Sequence, residues 1–336
     1  MKTSILSRTI LAISLISGLA IVNGCGKSSS ANNNPVTTTS STQIYYRRSV
    51  TGPFVDELWN VSDDGSNDSK VNLSLPASLL VNYEDMAEVS KDGKTIVFLA
   101  YVDNPRQYGI YKCNIDGSNV KPVMTDGGDY LALQSFIDPS SILFWQAKLN
   151  ADIEVYRVNL DGSNKQKISI TLPYGITLSN EELMKVTADG KSIVFITQTT
   201  ATGAYSIYKC NLDGSGASPV LHESGDANIT LQDVTSGNVA FYRKQINSVN
   251  ELWSVNLDGT DQHKINISLP PGLYLQNKEM AKVTGDGNLV FSTANADGSS
   301  QAIYKSKLDG SGVTLVKQLP VRTDIAIQAV QTVTVK

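Results

Sequence analysis

The chain has 336 residues, of which 18% are charged, and its formal net charge is −4. This acidic balance argues against a nucleic-acid partner, because such a partner requires a basic protein face. No stretch is apolar over 18 residues, so the sequence predicts no transmembrane helix.

The chain begins with the pattern of a signal peptide. Lys2 and Arg8 form a positive region before an apolar run over residues 10–22, which is too short to span a bilayer. The run ends in Val-Asn-Gly followed by Cys25, which resembles the cleavage box of bacterial lipoproteins, whose cysteine receives lipid. The resemblance implies a lipoprotein signal peptide over residues 1–24 and a lipid anchor on Cys25. The alternative is an ordinary secretory signal followed by a chance cysteine. Loss of the two basic residues in 1–24 would change the net charge from −4 to −6.

A polar segment follows the cysteine. Residues 26–42 are rich in Ser, Thr and Asn, with Val36 as a possible apolar anchor. This composition predicts a flexible tether. We therefore expect a lipidated cysteine and tether over residues 25–42, followed by one domain over residues 43–336.

The domain is built from repeats of short strands and turns, and it shows no helical stripe. Asp-Gly pairs recur at intervals of 52, 45, 52, 45 and 51 residues, which indicates a unit of 97 residues present three times. Each half-unit carries four predicted strands, which is typical of a propeller blade. The sequence thus predicts an all-β, six-bladed β-propeller made of three two-blade repeats. The Asp-Gly pairs begin at Asp64, Asp116, Asp161, Asp213, Asp258 and Asp309.

The two ends of the domain predict how the ring closes. Residues 325–330 match residues 229–234, the innermost strand of an odd-numbered blade. The first blade lacks this strand, since it begins at Gln43 with what matches a second strand. We therefore expect the C-terminal strand to complete the first blade, which removes the open edges.

The even-numbered blades carry a motif with a known counterpart. An Asp-Gly pair begins at Asp92, Asp189 and Asp286, each followed by an apolar strand, and an Asp-Gly-Ser turn follows further on. These motifs resemble the Ser-Pro-Asp-Gly-Lys repeats of TolB-type propellers from Gln43 to the C-terminus. The Asp-Gly-Ser-Asn turns also resemble the six-bladed YWTD propellers, but the Asp-Gly-Lys motif favours the TolB type. The proline that precedes Asp-Gly in the TolB motif is absent from all three even blades, and we expect only the polar tether, and no α/β domain, before the blades. The resemblance implies the fold, and it transfers no functional residue and no binding to the Tol–Pal system.

Two cysteines occupy matched positions in successive repeats. Cys113 and Cys210 lie 97 residues apart, and Ser306 takes the place in the third copy. A disulfide requires Cα atoms within roughly 7 Å, and equivalent positions separated by a whole blade lie farther apart. We expect both thiols to be free and buried in strands.

Patterns for catalysis and metal binding are missing. The chain has two histidines, His222 and His263, which we interpret as surface residues because neither has a second histidine nearby. There is no Gly-x-Ser-x-Gly elbow. A calcium loop starting at Asn60 would end at Val71 instead of the required Glu. The sequence predicts no catalytic residue, no metal and no cofactor.

The innermost strands of a propeller line its channel, and the repeat aligns polar residues on them. The even blades place Glu88, Lys185 and Lys282 at one position, which Ser135, Asp233 and Ala329 occupy in the odd blades. One residue earlier, the odd blades have Gln134, Gln232 and Gln328. Just before the even strands lie Asp85, Glu182 and Glu279. The charged and amide residues of these sets form a candidate binding site at the channel mouth. The alternative is that the mixed charges pair with each other and stay hydrated.

Aromatic residues and long loops also recur. An aromatic residue on the third strand of each odd blade is interpreted as packing between blades, with a sugar-stacking surface as the alternative. These residues are Trp59, Tyr156 and Trp253. The loops around Pro76, Pro173 and Pro270 are expected to emerge on one face with approximate three-fold symmetry, where binding loops often lie.

These patterns favour a non-catalytic, membrane-anchored lipoprotein of the bacterial cell envelope whose propeller binds an envelope protein. The alternative is a small molecule or glycan bound in the channel. A third hypothesis is a carbohydrate-active lyase or hydrolase with Asp233 and Glu88 as acid and base. We expect a monomer that contacts the membrane through its lipid. Gly26 lacks the aspartate associated with inner-membrane retention, which favours the outer membrane, facing the periplasm or the surface, in a Gram-negative cell.

Overall fold

The computed structural model describes residues 39–50, 55–81, 87–103, 106–125, 130–147, 152–179, 184–223, 227–276, 280–320 and 323–335. All regular secondary structure within these ranges is β-strand, and the strands form six antiparallel sheets. In this part of the chain, no helix is long and apolar enough to cross a membrane. The predicted signal peptide, Cys25 and the tether up to residue 38 lie outside the described residues.

Blades 1, 3 and 5 are four-stranded sheets, whose strands follow one another from the innermost position outward. Blade 1 consists of β27 (Thr323–Val335), β1 (Thr39–Val50), β2 (Val55–Ser62) and β3 (Ser69–Lys70). Blade 3 consists of β9 (Tyr130–Asp138), β10 (Ser141–Ala147), β11 (Glu154–Asn159) and β12 (Gln166–Ile168). Blade 5 consists of β18 (Asn228–Val234), β19 (Val239–Ile246), β20 (Val249–Asn256) and β21 (His263–Lys264).

Blades 2, 4 and 6 have five strands, because two short strands share the innermost position. Blade 2 consists of β4 (Leu79–Val81), β5 (Ala87–Val89), β6 (Thr95–Asp103), β7 (Arg106–Asn114) and β8 (Lys121–Met124). Blade 4 consists of β13 (Ile176–Leu178), β14 (Lys185–Val186), β15 (Ser192–Thr199), β16 (Tyr205–Asn211) and β17 (Ser218–His222). Blade 6 consists of β22 (Leu273–Leu275), β23 (Ala281–Val283), β24 (Asn288–Asn295), β25 (Gln301–Lys307) and β26 (Thr314–Gln318).

The even blades differ from the prediction, which gave every blade four strands. Their innermost position is occupied by two short strands instead of one. In blade 2, β4 pairs with Ala100–Val102 and β5 pairs with Ile96–Phe98 of the same neighbouring strand. The extra strand follows a turn in which the N–H of Leu79 donates to the carbonyl of Pro76 at 2.9 Å. Strands of two or three residues are too short to show a sequence period, so the pattern did not reveal them.

The C-terminal strand closes the ring, as the sequence predicted. β27 pairs antiparallel with β1 from Thr39 opposite Val335 to Val50 opposite Thr323. β1 starts at Thr39, four residues before the predicted domain start at Gln43, because residues 39–42 continue the pairing with β27. Both ends of the domain therefore contribute to one sheet.

Hydrophobic side chains fill the space between neighbouring blades. The described residues form six buried clusters, and each combines residues of two adjacent blades. In the cluster between blades 2 and 3, Val97 and Ile110 pack with Phe136 and Phe144. The core is therefore a closed series of apolar interfaces between neighbouring blades. Burial of these apolar side chains is the main stabilising contribution to such a fold.

Both described cysteines are free and buried, which confirms the prediction. Cys113 belongs to the cluster between blades 1 and 2, and Cys210 to the cluster between blades 3 and 4. Burial raises the pKa of each thiol to about 12. The thiols are therefore neutral at physiological pH, and only thiolates are strong nucleophiles.

The Asp-Gly turns join the third and fourth strands and pack on the preceding blade. In blade 2, Asp116 Oδ1 accepts hydrogen bonds from Ser118 Oγ at 2.6 Å and from Ser118 N at 2.9 Å. These bonds lower the pKa of the Asp116 carboxyl. A Cβ at Gly117 would lie 2.3 Å from the carbonyl oxygen of Asn72, just after β3 of blade 1. The corresponding turn glycines that approach the preceding blade are Gly65, Gly162, Gly214, Gly259 and Gly310.

The strand order gives the propeller two different faces. The turn face carries the Asp-Gly turns and the turns between first and second strands. The hairpin face carries the hairpins between second and third strands and the connections from each blade to the next. Gln43 of β1 pairs with Ser62, which lies just before an Asp-Gly turn. The N-terminal end of β1 therefore lies at the turn face.

Candidate functional site

The three glutamines predicted at the channel mouth are extra residues in β-bulges of the odd blades. The pairing register skips Gln134, Gln232 and Gln328 in the innermost strands. A bulge redirects a side chain away from the regular alternation of a strand. All three are at most 5% exposed.

Each bulged glutamine bonds to the backbone of the next even blade. Gln232 Oε1 accepts hydrogen bonds from Met280 N at 2.8 Å and from Ala281 N at 3.2 Å. Gln134 accepts one from Met184 N at 2.6 Å, and Gln328 accepts one from Ala87 N at 3.1 Å. The glutamines therefore hold blades 1 and 2, 3 and 4, and 5 and 6 together.

Two of the predicted charged residues form an ion pair. Lys185 Nζ lies 2.7 Å from Glu88 Oε1, and the lysine and glutamate side chains are 7% and 20% exposed. The pair connects blades 2 and 4 past blade 3, where the matched position holds the short side chain of Ser135. The charges of Glu88 and Lys185 therefore compensate each other within the protein.

Asp233 joins blade 5 to blade 6 through backbone amides. Its Oδ2 accepts a hydrogen bond from Val283 N at 2.7 Å, and its Oδ1 accepts one from Val234 N at 2.8 Å. Lys282, next to Val283, is buried. Asp85, Glu182 and Glu279, the remaining predicted residues, lie outside the described residues. A ligand site at the channel mouth thus stays a prediction.

Each histidine contacts a buried serine on the neighbouring strand. His222 Nδ1 lies 2.9 Å from Ser206 Oγ, and His263 Nε2 lies 3.3 Å from Ser254 Oγ. Both serines are buried, so neither hydroxyl is placed to attack a substrate. Among the described residues, no three His, Cys, Asp or Glu side chains converge as a metal site.

The recurring aromatic residues of the odd blades lie in a polar frame that the sequence analysis missed. In blade 5, Trp253 Nε1 donates to Glu251 Oε2 at 2.9 Å, and Lys264 Nζ bonds to Glu251 Oε1 at 2.6 Å. The hydrogen bond from Lys264 contributes most to lowering the pKa of Glu251. Lys244 Nζ lies 5.0 Å from the centre of the Trp253 ring. The matching Glu–aromatic–Lys sets are Glu57, Trp59 and Lys70, and Glu154, Tyr156 and Lys167.

This frame supports the packing interpretation of the aromatic residues. Trp253 packs against the cluster between blades 4 and 5, while a cation lies over its ring. Arg48 occupies the corresponding place over Trp59 at 4.7 Å. A signal was available in the sequence, because the Glu and Lys of each set are 13 residues apart.

The hairpin face carries most of the exposed large hydrophobic side chains. The loops with Pro76, Pro173 and Pro270 lie on this face, since the strands that follow them pair with the hairpin ends of β6, β15 and β24. Leu315, in the outermost strand β26, is the exception among the described residues. The exposed residues of the hairpin face are Leu80, Tyr130, Tyr174, Ile246, Val249 and Tyr274.

The sequence matches no protein-family model and no curated protein. The structure is similar to TolB from Acinetobacter baumannii, with 16% identity, a TM-score of 0.60, and coverage of 86% of this chain and 67% of that chain. It is also similar to a putative TolB from Agrobacterium tumefaciens, with 14% identity, a TM-score of 0.55, and coverage of 89% and 100%. An oligogalacturonate lyase from Vibrio parahaemolyticus has 14% identity, a TM-score of 0.53, and coverage of 84% and 74%. The structural similarity to the TolB proteins shows a TolB-like six-bladed propeller fold. At identities this low it shows the fold alone, so function has to be argued from the site.

Proposed function

We propose that this TolB-like propeller is the non-catalytic domain of a lipid-anchored cell-envelope protein, and that it binds a protein partner through its hairpin face. The anchor is inferred from the signal-peptide pattern and Cys25 in the sequence. The observation that carries the binding role is the concentration of exposed apolar side chains on one face of the propeller.

Each of those side chains is at least 40% exposed. Tyr174 is fully exposed, and more than half of Val249 and Tyr274 is exposed. Apolar groups gathered on one part of a surface are typical of interaction sites. The turn face differs, because its recurring aspartates accept hydrogen bonds within their own turns. Protein binding therefore fits the hairpin face better.

The bonding of the channel residues favours this role over catalysis. An acid and a base need carboxyl groups within reach of a substrate proton. Glu88 is engaged by Lys185, and Asp233 is engaged by two backbone amides. Because these two carboxylates already have partners within the protein, binding of a small molecule or glycan in the channel is only our second candidate function. Glu88→Gln tests the enzyme hypothesis, because a lyase or hydrolase that used this carboxyl would lose its activity.

The proposed location follows from the anchor. Two or three acyl chains hold a protein firmly at a membrane, whereas one binds only marginally. We place the protein as a monomer at the outer membrane of a Gram-negative envelope, because Gly26 follows the cysteine. Its propeller would face the periplasm or the surface.

In-cell cross-linking of the tagged, lipidated protein tests the proposal, with Cys25→Ser as the matched control. We expect one discrete envelope protein to be recovered with the lipidated form and lost with Cys25→Ser. Recovery of the same abundant envelope proteins with both forms would contradict the proposal.

A further inference from the structure

We infer that β26, the outermost strand of blade 6, is an open sheet edge to which an extended segment of a partner protein adds as a further strand. This edge lies on the side wall of the propeller, apart from the hairpin face. The inference therefore goes beyond the proposed function, because it adds a second contact site of a different kind.

The outermost strands of the six blades differ in length and composition. The odd blades end in strands of two or three residues, which are β3, β12 and β21. In blades 2 and 4, β8 and β17 have four and five residues, and they contain Pro122 and Pro219. Short strands and prolines are two means by which natural proteins prevent another chain from pairing with a sheet edge. Among the six described outermost strands, only β26, with five residues, has neither protection.

Leu315 of β26 occupies the position that proline has in the other even blades. Like Pro122 and Pro219, it pairs with a tyrosine of the third strand, next to a shift of register. A proline has no N–H that an added strand could bond, whereas leucine has one. Leu315 is also 52% exposed. The edge that is blocked in blades 2 and 4 is therefore accessible in blade 6.

The pairing of β26 with β25 directs the Leu315 backbone outward. Leu319 N donates to the carbonyl of Gln301 at 3.0 Å, so Gln301 is at a hydrogen-bonded position of β25. Such positions alternate along an antiparallel strand, so Tyr304, three residues later, is at a position that is not hydrogen-bonded to β26. The N–H and C=O of its partner Leu315 therefore point away from β25. Among the described residues, no strand pairs with this outer side of β26.

The side chains beside the edge indicate what the added segment carries. Leu315 lies on the same side of the sheet as Tyr304, which belongs to the cluster between blades 5 and 6. Lys317 lies on the other side, where its Nζ is 2.8 Å from Asp68 Oδ2 of blade 1. Apolar neighbours on one side of a strand pair stabilise the pairing, and Lys317 already has a counter-charge. We therefore expect an apolar side chain against Leu315 and uncharged polar side chains on the Lys317 side.

The occupant is a polypeptide, because an added strand has to offer N–H and C=O groups at strand spacing. A second copy of this chain fits less well than a partner segment. Two copies would meet only along their five-residue strands, because the outer walls of both propellers curve away from each other. A stable protein interface buries about 1,200–2,000 Å² in total. An extended segment can also contact the surfaces on either side of the edge, which a second rigid wall cannot reach.

The test is selection of phage-displayed random nonapeptides on the lipidated full-length protein in nanodiscs. We expect enriched peptides with alternating apolar residues, and these peptides should protect the Leu315 amide from hydrogen exchange. Leu315→Pro should bind them at least about tenfold more weakly, because it lacks the outward N–H. This variant should fold, since β8 and β17 carry proline at the matched position. Leu315→Ala is the matched control, because it keeps the N–H and should retain more binding than Leu315→Pro.

Peptides methylated at single backbone nitrogens provide the second measurement. Alternate N–H groups of an added strand face β26, so methylation at alternate positions should abolish binding, and methylation at the positions between them should have little effect. The absence of enriched peptides, equal binding by the parent and Leu315→Pro, or an equal effect of methylation at every position would overturn the inference.

Sedimentation equilibrium tests the alternative occupant. A dimer of the parent protein that is absent in Leu315→Pro would assign the edge to a second copy, and it would likewise overturn the inference. A monomer in both proteins supports a partner segment. Leu315→Pro leaves the hairpin face unchanged, so the cross-linking test of the proposed function succeeds or fails independently of this edge.

Discussion

At the scale of single residues, the bulged glutamines show how a small change of register alters a role. Gln232 stands on an innermost strand, where a regular alternation places side chains either in the channel or between blades. The bulge adds one residue, and a shift of one residue moves a side chain to the other side of a strand. The side-chain amide oxygen of Gln232 then accepts hydrogen bonds from the backbone N–H groups of Met280 and Ala281. The recurrence of Gln was visible in the sequence, but the bulge was not.

Gln232→Ala should therefore destabilise the propeller. The substitution leaves two buried backbone N–H groups without their side-chain acceptor and opens a small cavity, which lowers the free energy of unfolding by about 2–3 kcal/mol. Urea denaturation followed by circular dichroism measures the loss. Gln166→Ala is the control, because Gln166 is exposed and its loss should cost at most about 0.5 kcal/mol. Equal stability of the two variants would show that the glutamine does not link the blades.

At the scale of elements, the Asp-Gly turns combine a local and a long-range requirement. Locally, Asp116 accepts the hydrogen bonds of Ser118, and Gly117 has a φ of +83°. The same glycine lies against the carbonyl of Asn72 in the preceding blade. Sequence patterns identify the turn, because its chemistry is contained in four residues. They do not show that it touches another blade.

The two requirements can be separated by a pair of substitutions. Gly117→Ala combines the backbone strain with a contact of 2.3 Å, and it should cost about 3 kcal/mol or more. Gly287→Ala has a similar φ of +81° but nothing within 4 Å of the added Cβ, and it should cost about 1 kcal/mol. Thermal and urea unfolding give both values. Equal losses would mean that the approach between blades adds nothing.

At the scale of the whole molecule, β27 decides whether six sheets form a ring. It supplies the innermost strand of blade 1, and its buried Ile325 and Ile327 belong to the cluster between blades 6 and 1. Without it, β1 has an open edge and that cluster loses part of its core.

Removal of residues 323–336 should abolish cooperative unfolding, because the loss of an entire buried strand exceeds a typical net stability of about 5–15 kcal/mol. Removal of residues 333–336 is the control, since it leaves the pairing from Thr323 to Thr332 intact. Near-ultraviolet circular dichroism during heating distinguishes the two chains. A peptide of residues 323–335 should restore the transition of the long truncation. An unchanged melting temperature in that truncation would contradict the closure role of β27.

The sequence by itself determined the all-β class, the six blades and the closing strand of this protein, because each follows from alternation, turn chemistry and spacing along the chain. Only the tertiary structure decided what the polar residues of the inner strands do. Glu88 forms an ion pair with Lys185, which is 97 residues away in the sequence. Gln232 accepts a hydrogen bond from the backbone N–H of Met280, which is 48 residues away. Partners so far apart in the chain are fixed by how blades pack against each other, and no local pattern carries that information.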